Sequence, residues 1–385
     1  MERNVKPEEW EVREKGIHHH NPINRPIMKR MNKIFLILLC VQIIFGNAKA
    51  QDPVFSQPYM SPIYLNPAAT GSGDHDLRIS AIVRRQWWAI PSQFTYTAFS
   101  IDKYIPGLQS GIGLLATTSS EGYLKKTGIH VSYAYTFCPG ADPVASNSEM
   151  PRWFLTGALQ AGAVQRRIDY SDLLFADQLD ANGIIYGSET GADLPVNNKH
   201  WYLDISPALF FSYRMKGNSR LLIGATAKHV NHPDESLIAT NSKDKSVVPV
   251  LWSGNILYTN SNNENWTYSL AANFSKQQQN QMFQLGLEVT QNKLDIGMGA
   301  WYRGSTTFQN PDAFTLTLSF NLSGKDNETS KVRVGIAHDA PVGHKKYTNN
   351  NGSSEFAFVW DQHTYTTNAD DPCKPAISTR ECPRD

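Results

Sequence analysis

The sequence predicts an all-β fold: a transmembrane antiparallel outer-membrane β-barrel of about 14 strands with both termini periplasmic. Three observations carry this. Large apolar side chains recur at every second position along most of the chain after residue 75, as in TGIHVSYAYTF (127–137), MFQLGLEVT (282–290) and AFTLTLSFNL (313–322). In the last of these, Phe314, Leu316, Leu318, Phe320 and Leu322 alternate with Thr315, Thr317, Ser319 and Asn321, a two-residue period that a helix cannot use. Most of the alternating stretches run to about ten residues or more, whereas soluble strands average about five or six and a tilted membrane strand needs about nine to eleven. The connections also sort into short ones (IPGLQ, KGNS, QN) and long ones (166–198, 231–247, 340–352), with 138–151 as the exception. Short periplasmic turns and longer outer loops are the pattern of membrane barrels.

Composition agrees. The chain has 385 residues and a net charge of +1, with no basic excess to neutralise phosphates, so nucleic acid is not an expected partner. A mean hydropathy of −0.40 is no obstacle, because only alternate strand residues face lipid.

In chain order, residues 1–27 are polar and read as a non-native or untranslated extension upstream of a start at Met28 or Met31. Residues 28–50 read as a signal peptide. Lys29, Arg30 and Lys33 precede an apolar run from Ile34 to Phe45, too short to span a bilayer comfortably, and Ala48 and Ala50 set cleavage between Ala50 and Gln51. A lipoprotein signal using Cys40 is disfavoured by Leu39 before it. Residues 51–75 form a Pro/aromatic periplasmic segment. Prolines 53, 58, 62 and 67 remove backbone donors, so this stretch is expected to be neither a helix nor a central strand, yet it is too apolar for a linker. Phe55, Tyr59, Tyr64, Leu65, Asn66 and Pro67 are candidate docking residues, set either to plug the barrel or to meet a partner.

The barrel is expected over 76–363, with strands at 76–87, 93–103, 110–120, 126–138, 152–165, 199–214, 219–230, 248–259, 264–275, 280–291, 293–303, 312–323, 331–339 and 353–363. Trp87, Trp153, Trp201, Tyr258, Trp301, Tyr302 and Trp360 lie near strand ends and suit interfacial girdles. Leu285, Leu287, Leu316 and Leu318 should face lipid. If the lumen is open, an arginine at Thr317 should be tolerated where one at Leu318 is not. Residues 364–385 form a periplasmic tail in which Cys373 and Cys382 are a candidate disulfide, leaving Cys138 over.

Chemistry is sparse. GIGLLA (111–116) has dinucleotide-loop spacing but lies within a strand, where its glycines let the inner wall pack closely. His229 and His232 are spaced like two metal ligands without a third, and His18–His20 is too short a run. Arg84 and Arg85 beside Trp87 and Trp88 suit an interfacial or lumenal cluster. No HExxH or GxSxG occurs, and no catalytic, cofactor or metal site is expected.

Several blocks resemble one family. DPVFSQPYMSPIYLNPAATG (52–71) looks like the N-terminal signature of the PorP/SprF family of type IX secretion system outer-membrane proteins, through Phe55, Ser56, Tyr59, Pro62, Leu65, Asn66, Pro67 and Ala68. RRQWWAIPSQFTYTAFSID, KHVNHPDESL, GMGAWYRG, PDAFTLTLSF and KVRVGIAHD resemble later blocks in order, covering residues 51–365. Near the last strand, Ser354 stands where the family often has histidine. The resemblance implies an outer-membrane barrel of a Bacteroidota-type bacterium with no enzymatic role. Its implied partners are a secreted, sometimes gliding-adhesin, cargo with a C-terminal sorting domain, the translocon and a periplasmic ring. Rival readings are a diffusion or substrate-specific porin, which needs a water-filled lumen, and a soluble β-rich adhesin, which the strand lengths oppose.

Overall fold

The computed structural model describes residues 52–362, apart from residue 74 and the segments 90–93, 138–152, 171–172, 181–182, 185–189, 192–197, 216–217, 238–244, 306–310, 325–326 and 343–350. The expected extension, signal peptide and tail, with Cys138, Cys373 and Cys382, lie outside the described residues.

Alternating sequence becomes long strands. They are β1 (Leu77–Gln86), β2 (Phe94–Ile105), β3 (Ser110–Glu121), β4 (Leu124–Phe137) and β5 (Trp153–Ile168), followed by a loop hairpin of β6 (Leu179–Asp180) and β7 (Gly183–Ile184). After it come β8 (Lys199–Arg214), β9 (Ser219–Lys228), β10 (Leu251–Asn260), β11 (Trp266–Gln277) and β12 (Asn280–Gln291). The chain ends its sheet with β13 (Ile296–Gly304), β14 (Pro311–Gly324), β15 (Asn327–Pro341) and β16 (Ser353–Gln362). All but β6 and β7 join in one closed barrel of 14 strands in chain order, β16 sealing onto β1 with Leu77 opposite Gln362 and Gln86 opposite Ser353. Closure gives every barrel strand two neighbours, as hydrocarbon requires, and β8 extends beyond its ladder with β9 over Lys199–Pro207.

Two expected spans start three residues later than the alternation suggests. Pro249 has no N–H for a ladder, and β10 begins at Leu251. The β12–β13 turn reaches Asp295, whose φ of 61° is a turn conformation, and β13 begins at Ile296.

The outer face is apolar: Ile129, Val131, Leu203, Leu285, Leu287, Leu316 and Phe356 are exposed, and the residues between them point inward and are mostly buried. Leu318 shares the outward phase of Leu316 and is half-buried. Trp153, with Phe137 and Phe211 at ring-centroid distances of 6.0 and 6.2 Å, and Trp201 lie on the outside near strand ends, as a girdle requires. Trp301 does not. It shares the inward phase of Gly297 and Gly299 and is 6 % exposed inside the barrel, so its place in the girdle is corrected.

Strand direction defines two mouths. The near mouth carries the start of β1, the end of β16 and the connections 106–109, 138–152, 215–218, 261–265, 292–295 and 325–326. The loop mouth carries the connections 87–93, 122–123, 169–198, 229–250, 278–279, 305–310 and 342–352.

Candidate functional site

The site is the lumen and the segment inside it. Residues 52–76 lead into β1, and their prolines shape them. The expectation of no helix here is corrected, because Pro58, Pro62 and Pro67 each open a short helical turn: 3-10 turns at Pro58–Met60 and Pro67–Ala69, and the four-residue α1 at Pro62–Leu65. At the first position of a turn the missing N–H has no partner to lose, and the fixed φ suits a helix. Asn66 closes α1 and opens the next turn, its side chain accepting from the Ala68 N–H at 2.9 Å. The outcome is a compact coiled strap, with its backbone groups largely satisfied locally.

This strap runs the length of the lumen. At the loop mouth, the Asp52 N–H donates to Gln277 Oε1 at 3.2 Å, and Asp52 Oδ2 lies 2.7 Å from His229 Nε2 just past the end of β9. Next, the Ser56 and Gln57 N–H groups donate to the two carboxylate oxygens of Glu355, each at 2.7 Å, and Gln284 donates to the Phe55 carbonyl at 3.1 Å. At mid-barrel the Tyr59 hydroxyl donates to the Ile256 carbonyl at 3.0 Å, and its ring stacks on Trp301 at 6.3 Å. Asn66 Nδ2 donates to the Leu209 carbonyl at 3.1 Å, while Lys228, from the loop-mouth end of β9, donates to the Tyr64 carbonyl at 3.0 Å. Toward the near mouth the Gly71 N–H donates to Asp102 at 2.7 Å, Arg78 reaches the Ala69 and Ser72 carbonyls, and His75 sits between Asp102 and Asp361.

Apolar packing joins these polar anchors. Phe55, Met60 and Ile63 are buried against Ile82, Ala98, Leu115, Ala357 and Val359 of the wall. Ala68 packs with Ala208, Phe210, Leu222, Leu257, Ala271 and Trp301. The expected lumen-facing glycines of β3 have a specific task. A side chain at Gly111 would run into the Thr70 carbonyl, and one at Gly71 would come within 2.6 Å of the Gly111 Cα. Gly71 also has a φ of 68°, which favours glycine.

The six candidate docking residues therefore lie together inside the barrel. Phe55, Asn66 and Pro67 are buried, while Tyr59, Tyr64 and Leu65 are half-buried, with Tyr64 edge-on to Phe55 at 4.9 Å. The described residues 52–73 and 75 lie within the lumen. Asp52 and Gln362 lie at opposite mouths, so the described ends of the chain do not share a side. The physical reason is that the wall offers inward carboxylates and apolar residues that match the strap.

Of the wall residues that meet the strap, the sequence singles out Arg84, His229 and Trp301, the last two for other roles. Arg84 donates to Ser56 Oγ and pairs with Asp339 at 2.5 Å, with Glu355 3.6 Å away. Arg303 meets Asp339 at 2.8 Å and Asp312 at 3.1 Å. Arg78 holds Asp102 through two nitrogens at 3.0 and 2.8 Å. The legible signal was charge on the inward phase of alternation: Arg78, Ser80, Ile82 and Arg84 share one face of β1. Arg85 points the other way and lies 4.2 Å from the Trp88 ring centroid.

His229 is not a metal ligand in this arrangement. Its Nε2 and Nδ1 both donate, to Asp52 and to Asp204, each at 2.7 Å. Burial acts to lower its pKa, but the charge of Asp52 and the hydrogen bonds to both carboxylates push it up to about 10. Burial acts to raise the Asp52 carboxyl, and His229, with Lys228 and Lys126, holds it well below the usual carboxylate range. Glu235 of the 229–250 loop folds over this corner, its carboxylate 2.7 Å from Lys126 and its carbonyl accepting from Arg166 at 2.8 Å. Among the described residues no cluster has the makings of a metal centre.

A family model described as "Type IX secretion system membrane protein PorP/SprF" matches residues 47–360. No curated protein matches the sequence. Among solved structures, the chain is similar to a "CymD monoaromatic hydrocarbon channel", at 10 % identity and a TM-score of 0.46, over 83 % of this chain and 96 % of that one. It is also similar to the Pseudomonas putida toluene transporter TodX, at 8 % identity and a TM-score of 0.41, with the same coverage of each chain.

Proposed function

Because the chain belongs to the PorP/SprF family of type IX secretion system membrane proteins, we propose that it is a non-enzymatic binding component of that system in the outer membrane. It receives one secreted partner through the partner's C-terminal sorting domain and holds it at the translocon or the cell surface. The observation that carries this reading is the span of the family match, residues 47–360, which takes in both the strap and nearly all of the barrel. The lipid-facing apolar surface supports a place in a membrane, since a closed barrel gives every strand two neighbours within hydrocarbon. The filled lumen supports binding over diffusion.

Specificity for the partner belongs to the long connections, mainly 166–198 and 231–247, because loops vary without disturbing the sheet. The strap serves a task common to all partners. Deleting the gene should abolish surface display of one or a few sorting-domain proteins while leaving general type IX secretion intact, as read from the secretome and from surface labelling. Exchanging the long connections with those of a paralogue should redirect the partner. A deletion that changes only small-solute uptake, with the secretome untouched, would favour a porin instead.

A further inference from the structure

The strap's path has consequences for both faces of the membrane. It is fastened at the loop mouth through Asp52, at mid-barrel through Tyr59 and Asn66, and at the near mouth through Gly71 and His75. Its two ends are therefore on opposite sides of the barrel. The chain reverses at Gly71–Asp76, where Gly71 and Gly73 have φ of 68° and 134°, and β1 then climbs beside the strap it continues from. The wall is fitted to this occupant. Glu355 spends both carboxylate oxygens on strap N–H groups, and Asp102 takes a third. Two cavities beside the strap measure about 70 and 90 Å³. Pro53, Phe55 and Tyr64 of the strap line both of them.

We propose that residues 52–75 are a resident plug that closes the barrel to solutes and carries the N-terminal end of the mature chain out at the loop mouth, on the opposite side of the membrane from the end of β16. The N-terminal end then forms one surface with the long connections, next to Glu235 and His229. Any partner that reaches the loop mouth meets it. This inference stands on the path of the strap and on removal of the leader before Gln51, and it does not depend on which partner the protein serves.

Two measurements test it. An epitope is inserted between Gln51 and Asp52 in one strain and at residue 363 in another, and antibody binding is scored on intact and on permeabilised cells. The expected result is that one epitope is reached on intact cells and the other only after permeabilisation. If both behave alike on intact cells, with both detected after permeabilisation, the through-lumen path is overturned. Separately, the purified full chain is placed in planar bilayers, where no steady conductance is expected. Removing residues 53–67 should raise conductance by about tenfold or more, as an occupied lumen becomes an aqueous one. Should that variant not fold, Ile63→Asp, which puts an unpaired charge at a fully buried strap position, serves in its place. Steady conductance of the unaltered chain, or silence of a folded plug variant, overturns closure.

Discussion

Arg84 is where a single side chain has most to lose. It is buried with Asp339, Glu355 and Ser56, and it ties β1, β15 and β16 to the strap. Arg84→Ala leaves two buried carboxylates short of a partner, and breaking one side of such a buried network costs about 3–5 kcal/mol. The expected readout is a lowered unfolding temperature of the detergent-purified barrel, with Arg84→Lys recovering part of the loss. Gly111→Val should act differently: the wall strand stays paired, but the added methyls meet the Thr70 carbonyl and push the strap away. Limited proteolysis should then cut within residues 66–73 while the barrel stays intact. His229 adds a pH dependence. Its pKa rises from 6.5 to about 10 on folding, so the stability it gives is complete below about pH 6.5 and is lost as pH rises through 10. Asp52, depressed from 3.8, contributes above that value and loses its contribution as pH falls through its folded pKa. The loop-mouth anchor is therefore strongest between about pH 4 and 6.5 and loosens in alkali. Hydrogen exchange at residues 52–57 should speed up between pH 7 and 10 beyond the intrinsic pH effect, and His229→Gln should remove that excess.

At the scale of an element, each barrel strand serves two solvents. Along β14, Leu316 faces outward and is 70 % exposed, whereas Thr317 faces inward and is buried. Leu316→Arg should cost about 2–4 kcal/mol if the site lies at the bilayer midplane. The expectation of tolerance at Thr317 was conditional on an open lumen. Thr317 instead abuts Gly299, in the phase that also turns Trp301 inward, so Thr317→Arg should destabilise as well. Parallel unfolding of the two variants in detergent checks this, and wild-type stability of Thr317→Arg would show spare room on that side of the barrel. The 364–385 tail carries a separate proposal. A Cys373–Cys382 disulfide in an oxidising compartment closes a short loop, with a local effect of about 2–3 kcal/mol. Alkylation without reductant should leave both cysteines unmodified.

For the molecule as a whole, the strap makes the barrel a filled body rather than a tube. Its two apolar clusters draw on strands from around the wall, with Ile82, Leu115 and Val359 in one and Phe210, Leu257 and Trp301 in the other. Trimming residues 53–67 should impair display of every partner alike, whereas exchanging loops should affect one. Mass spectrometry of the membrane-extracted chain should find Gln51 at its N-terminus, and an intact Met28 or a lipid on Cys40 would refute that processing. The strap reaches the loop mouth as a free end only if the leader has been removed.

The sequence by itself determined the wall. Period-two alternation needs no distant information, because each strand's outward face must match lipid whatever its neighbours are, and 199–214 and 280–291 could be read to the residue. It also determined that residues 51–71 could not be a strand, since proline donates nothing to a ladder. Only the tertiary structure decided where that segment goes. Arg78 and Asp102 are 24 residues apart and Arg84 and Asp339 are 255 apart, so nothing in local sequence pairs them. Closure of the barrel brings these inward charges around one axis, where burial without partners would be costly. The strap's N–H groups, carbonyls and aromatic rings complete the lining of an otherwise unfilled lumen.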